Sequence, residues 1–184
     1  NAFNDVKPEI QEGLTPLTDA GYTLYLTGHS LGGALALIAT RQIGSDSTGA
    51  CYTFGQPRVA GYGFAEKIKT PIYRVVNATD IVPRVPPAII PHLLRTALSL
   101  VSFPGRDLLR RLVEEFSGYV HHGDMRYLPR AKWRDDGYRD VRLLANPNVF
   151  DRTVWWFKDV VLRLNLGGPT SDHSMDRYLD KLRA

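Results

Sequence analysis

The segment Gly28-His29-Ser30-Leu31-Gly32 constrains this chain more than any other, because of what stands on either side of it. Before it, Tyr22-Thr23-Leu24-Tyr25-Leu26-Thr27 is short and rich in β-formers, and predicts a buried strand stopped by Gly28. After it, Leu31 to Ile43 is small and aliphatic, as suits a helix packed on a sheet, and Gly44 predicts its end. Strand and helix are thus joined by almost no chain. A serine at the apex of so sharp a turn carries strained backbone angles and projects its hydroxyl outward. The flanking glycines remove side chains that would collide with strand and helix. The pattern G-x-S-x-G alone arises by chance in roughly one chain in twenty of this length. The strand before it and the helix after it give it its weight.

A serine hydroxyl is a poor nucleophile near neutral pH. It needs a histidine base, and the base needs a carboxylate to hold its tautomer and stabilise the imidazolium. The helix N-terminus behind Ser30 supplies N–H groups and a dipole that favour a tetrahedral oxyanion, with the N–H of Leu31 as the expected donor. On a strand–turn–helix of this kind the chain order is Ser, then Asp or Glu, then His. Asp80, in Asn77-Ala78-Thr79-Asp80 after a third strand, is placed as the acid, and a turn-forming Asp fits the same position equally well. Five histidines compete for the base. His29 is held by the turn, and His92 lies beside a proline-rich stretch. Position favours His173, in a loop after the last long helix, over His121 and His122 beside a Gly-Asp turn.

The rest of the chain supplies the scaffold for those residues. Residues 3–20 predict a polar helix that breaks near Gly21. Ala50 to Phe54 and Ile72 to Val76 predict two more short strands, and the strand–helix–strand order predicts a parallel sheet with crossover helices, an α/β fold. Pro83, Pro86, Pro87 and Pro91 predict a loop. Residues 92–120 look helical, with Leu108, Leu109, Leu112, Val113 and Phe116 on one face. Residues 151–164 predict another amphipathic helix, with Val154, Phe157, Val161 and Leu164 as its stripe, stopped by Gly167-Gly168-Pro169. Ser171 or Asp172 is expected to cap a last short helix through Leu182.

Composition narrows the class. With 184 residues, 43% hydrophobic and 23% charged, the chain reads as one globular domain with a real core. A net charge of +4 is small and spread along the chain. There is no zinc spacing, helix-turn-helix signature or basic stripe, so no nucleic-acid role is expected. One cysteine, Cys51, excludes an internal disulfide, and its apolar strand predicts a buried thiol. No signal peptide and no apolar run long enough to span a bilayer is visible, and the first residue, Asn1, fits a processed or truncated N-terminus.

Together these segments resemble the class three lipases, the α/β-hydrolase family that includes the filamentous-fungal triacylglycerol lipases. Thr27-Gly28-His29-Ser30-Leu31-Gly32-Gly33-Ala34 looks like the family's nucleophile turn, and Tyr52-Thr53-Phe54-Gly55-Gln56-Pro57-Arg58-Val59 is similar to its next strand and turn. Arg74-Val75-Val76-Asn77 through Asp80-Ile81-Val82-Pro83-Arg84 and Pro86-Pro87 resembles the segment that carries its acid. Asp172-His173 followed by Tyr178 resembles its final segment, with the tyrosine displaced. The resemblance implies Ser30 as nucleophile, Asp80 as acid and His173 as base, with Leu31 in the oxyanion hole and no metal or organic cofactor. By the same resemblance His121-His122-Gly123-Asp124 matches a His-x-Gly-Glu segment, which makes His121 structural. Family members carry more chain before the turn. The resemblance therefore implies a single domain over 1–184 that is incomplete at its N-terminus, without the early strands, the lid and the loop that gives a second oxyanion donor. Residues 88–120 then form a helical insert longer than the family's own.

The implied activity is a serine carboxylic-ester hydrolase acting on a lipid or ester substrate, acylglycerols or phospholipids. Two other readings use the same residues. A thioesterase or acyltransferase shares the triad and differs in acceptor. A non-catalytic lipid-binding module would keep the residues and lack turnover. The insert suggests peripheral contact with a lipid surface, because an amphipathic helix with arginines can lie at such an interface. Packing against the body of the domain fits its pattern as well.

Overall fold

The computed structural model of the chain describes residues 2–84, 118–130, 132–133, 139–140, 142–158 and 168–183. Helix α1 (Ala2–Asp19) runs to a turn at Gly21 and is followed by β1 (Leu24–His29), α2 (Leu31–Ile43) and β2 (Thr48–Phe54). Next come β3 (Ile72–Asn77), β4 (Asp124–Leu128) and the short strands β5 (Lys132–Trp133), β6 (Arg139–Asp140) and β7 (Leu144–Ala145). Helices α3 (Val149–Phe157), α4 (Gly168–Ser171) and α5 (Met175–Leu182) follow. The main sheet has the order β1-β2-β3-β4-β7, with β1 to β4 parallel and β7 antiparallel to β4, while β5 and β6 pair apart from it.

Because strand residues alternate between faces, β3 sends its odd and even positions to different partners. On one face, Leu37 and Ala36 of α2 pack on Cys51 and Ile72, and Val76, Met125 and Tyr127 meet Trp155 of α3. On the other, Val75 and Leu128 pack on Tyr178 of α5. A Leu-sized side chain taken fully out of water, as Leu37 is, stabilises by about 1.5–3 kcal/mol. Cys51 is buried as its strand predicts, and burial raises its thiol pKa.

Several expectations shift. The first strand starts two residues later than predicted and passes through Gly28 to His29. Among the described residues it has one neighbour in the sheet, and Tyr25 is 60% exposed, so it is not a buried strand. Strand β4, parallel to β3, went unrecognised in the sequence. Most of the 88–120 insert lies outside the described residues; residues 118–120 are not helical, and Val120 bridges Ala60 in antiparallel fashion. Helix α3 starts at Val149, capped by the Asn148 side chain on the Asp151 N–H, and Val161 and Leu164 lie outside the described residues. Gly168 and Pro169 begin the short α4 rather than serving only as a stop. The cap of α5 is Ser174, not Ser171 or Asp172, and no side-chain bond closes that cap.

Candidate active site

Ser30 joins β1 to α2 with φ 55° and ψ −124°, left-handed backbone that a non-glycine residue adopts only where its surroundings impose it. Two bonds impose it here. Its N–H donates to Phe54 O on β2 at 2.9 Å, and its carbonyl accepts from Gly33 N–H at 3.0 Å. A Cβ at Gly28 would stand 2.2 Å from Gly32 O, so only glycine allows the helix to start this close to the strand. Gly32 itself meets nothing within 4 Å; the second crowded position is Gly33, against Gly28 O, Gln56 and Thr53. The carbonyl of Ser30 takes the Gly33 and Ala34 N–H groups. A helix leaves its first N–H groups without internal partners, and here those are Leu31 and Gly32.

Asp80 follows β3 in a turn whose Ala78 has φ 35°. Strand β4 holds that turn from two sides. Ala78 N–H donates to Leu128 O at 2.7 Å, and Ala78 O accepts from the Tyr127 hydroxyl at 3.0 Å. Asp80 is fully buried. Its Oδ1 accepts from Val82 N–H at 2.9 Å and its Oδ2 from the Tyr178 hydroxyl at 2.6 Å. Burial, then the adjacent Asp80 charge, raises the Tyr178 pKa well above its ordinary value, so the phenol keeps its proton and donates.

His173 sits between α4 and α5, with Nδ1 3.0 Å from both carboxylate oxygens of Asp80 and Nε2 2.8 Å from Ser30 Oγ. In the tautomer that donates Nδ1–H to Asp80, Nε2 accepts the Ser30 hydroxyl proton. The three residues picked from the sequence are therefore joined in one hydrogen-bonded series. The loop carrying His173 is latched to the acid turn: Asp172 Oδ2 accepts from Thr79 N–H at 3.0 Å and Thr79 Oγ1 at 2.7 Å, and Asp172 O accepts from Asn77 Nδ2 at 2.9 Å. Lys181 of α5 adds bonds to Asn77 Oδ1 and Pro129 O.

Other residues serve this geometry without having been singled out for it. His29 donates Nε2–H to the His173 carbonyl at 2.7 Å, and the two rings lie 4.7 Å apart. Gly55 has φ 59°, and a Cβ there would stand 2.8 Å from Asp80 Oδ2 and 3.0 Å from the His173 ring. Glycine at 55 thus lets β2 end directly against the Asp80–His173 pair. Its signal was present in Phe54-Gly55-Gln56-Pro57, but only as a matching block. Neither remaining described histidine is bonded to Ser30 or Asp80. His121 donates Nε2–H to Pro83 O at 2.6 Å. Burial, then the charge of Arg74, lowers its pKa to about 3, so it is neutral at ordinary pH. His122 is buried with its ring 5.4 Å from that of Phe64. His92 lies outside the described residues.

Comparison with known proteins gives one consistent picture. A family model described as lipase (class 3) matches residues 1–89. The lipase of Rhizopus oryzae is 40% identical over 93 residues, 46% of this chain and 23% of that protein. The lipase of Rhizomucor miehei is 45% identical over 76 residues, 36% of this chain and 21% of that protein. Among solved structures, the native propeptide complex of Rhizomucor miehei lipase aligns with a TM-score of 0.51 and 26% identity, covering 77% of this chain and 39% of that one. The chain spans under a quarter of the length of the two relatives.

Proposed function

We propose that this chain, whose residues 1–89 match the class 3 lipase family and which carries part of the α/β-hydrolase fold, is the portion of a serine ester hydrolase that holds the nucleophile, base and acid. The observation that supports this most directly is the Ser30–His173–Asp80 series, assembled from three separate segments with the nucleophile on a strained turn. Ser30 Oγ attacks the ester carbonyl as its proton passes to His173 Nε2. Asp80 holds Nδ1–H and balances the imidazolium, and Tyr178 and Val82 hold Asp80. The Leu31 N–H, at the positive end of α2, receives the oxyanion. His173 then gives its proton to the departing alcohol, leaving an acyl-serine. Water attacks that ester, again losing a proton to His173, and as the acyl–Oγ bond breaks His173 returns the proton to Ser30 Oγ, releasing the carboxylic acid.

The substrates we propose are acylglycerols or phospholipids, met by peripheral contact with a lipid surface. The test is hydrolysis of p-nitrophenyl esters of graded acyl length by the full chain and by Ser30→Ala, run beside covalent labelling with a fluorophosphonate. Ser30→Ala is expected to lower kcat by roughly 10⁴- to 10⁶-fold and to abolish labelling. A preference for long acyl chains would place the activity among lipases rather than general esterases. Labelling that persists in Ser30→Ala, or a wild type that neither labels nor hydrolyses, would refute the reading.

A further inference from the structure

Arginines gather on the face of the sheet that carries α3, and among the described residues Arg74, Arg84 and Arg152 have no carboxylate to pair with. Arg74, on β3, is 7% exposed, yet its hydrogen bond from Nε to Gly123 O is long, at 3.4 Å. Its Nη1 is buried without a hydrogen-bond partner. The strand neighbour of Arg74 is Met125, and Met125 Sδ lies 3.3 Å from Nη1 of Arg152 on α3. Arg152 Nε is likewise buried and unpartnered, and so is the indole Nε1 of Trp156, one helical turn further on. The guanidinium of Arg84 stands 5.6 Å from the Trp156 ring, and the Arg84 carbonyl accepts from Arg58 Nη1 at 3.0 Å. Among the described residues no carboxylate lies within ion-pairing distance of Arg74, Arg84 or Arg152; Asp124 is directed instead to Arg126, at 3.7 Å.

Such a cluster is short of acceptors. Burial, then the charges of Arg152 and Arg58, lower the Arg74 pKa to about 10, with Asp124 opposing, so Arg74 remains a cation at neutral pH. Arg58, Arg84 and Arg152 are depressed in the same way, burial first. A buried cation is costly unless a counter-charge and hydrogen bonds offset its lost hydration. Arg74 is buried, whereas Arg58, Arg84 and Arg152 are only partly buried. Guanidinium forks match the oxygens of phosphate, and several of them converging favour a dianion over chloride or a single carboxylate.

We propose that Arg74, Arg84 and Arg152, together with Arg58 and the Trp156 indole, form a binding site for a phosphate group. The site lies across the sheet from Tyr178 and α5, and it does not depend on the esterase reading. A phosphorylated lipid headgroup and a soluble phosphate share the required chemistry.

The experiment is thermal unfolding of the full chain in inorganic phosphate, with sodium chloride at equal ionic strength as control. At hundredfold excess over its Kd, phosphate is expected to raise Tm by roughly 5 °C or more beyond chloride. That increment is lost in Arg152→Gln, and in Arg74→Met, whose Tm without phosphate is no lower than wild type. If Arg74→Met does not fold, Arg152→Gln carries the test alone. Displacement of bound phosphate by vesicles of dialkyl-ether phosphatidic acid, which have no ester to consume, assigns the site to a lipid headgroup. Failure of those vesicles to compete assigns it to a soluble phosphate. A phosphate increment equal to that of chloride, or one retained in Arg152→Gln, overturns the proposal.

Discussion

Two polar clusters lie on opposite faces of the same sheet. Against α5, the inward-facing groups satisfy one another. Asp80 accepts from His173, Tyr178 and Val82, and Asp172 spans to Thr79 and Asn77. Against α3, buried N–H groups of Arg74, Arg152 and Trp156 have no hydrogen-bond partner. Both clusters stand on the same strands, with alternate residues of β3 facing each. The difference lies in acceptors: one cluster holds a buried carboxylate, and the other holds cations and donors. A network that satisfies itself fixes its members in one geometry, which is what the proposed proton transfer between Ser30 and His173 needs. A network short of acceptors is stable only at a cost, and it responds to whatever charge is brought to it.

The comparison is tested hardest at its satisfied side. Asp80→Asn keeps the size of the side chain and removes the charge that selects the His173 tautomer. Its kcat/KM on a p-nitrophenyl ester is expected to fall about 10⁴-fold. A loss under tenfold would mean that the α5 network is structural only.

A smaller effect is expected at Gly55, which touches the same pair by steric exclusion. Gly55→Ala forces a methyl against Asp80 and His173 on backbone of positive φ. The displacement should lower kcat about a hundredfold while KM changes little. An unchanged kcat would show that the Asp80–His173 spacing tolerates the shift.

The smallest effect belongs to the α3 side. The folded pKa of His121, about 3, lies below its ordinary 6.5. Its contribution is therefore fully present above pH 6.5 and is lost progressively as pH falls from there toward 3. In His121→Gln the Tm should decline less steeply across that window, with hydrolysis at pH 8 changed less than about threefold. An equal decline in wild type and variant would remove His121 from the account, and a large loss of activity would join the two clusters that the comparison separates.

What could be read in the sequence was local. Helix α2 spans Leu31 to Ile43 as predicted, because small residues mark its packed face and Gly44 follows it. Ser30, Asp80 and His173 each stand in a segment whose own pattern marks it, and the structure brings the three together. Missed features depend on distant partners. Gly28 looks like a strand stop, yet it lies inside β1 because α2 crosses so close above it. Strand β4 is short and carries Asp124 and Arg126, which hide its alternation; Arg126 gains a place by lying 4.9 Å from the Tyr73 ring on β3. Asp172 is a capping residue by type, but its carboxylate bonds to Thr79, 93 positions earlier. No local pattern shows such a partner.

The distance along the chain between Ser30 and His173 also orders events in time. Ser30 and His173 are 143 positions apart, whereas the turn that strains Ser30 is made by its immediate neighbours and β2. Contacts across long separations close late and slowly, because the entropy of the intervening loop is lost before the contact repays it. A refolding chain therefore has Ser30 on the bend before the imidazole of His173 arrives with residues 168–183, and in that interval the Ser30 hydroxyl lacks the partner it has in the folded chain.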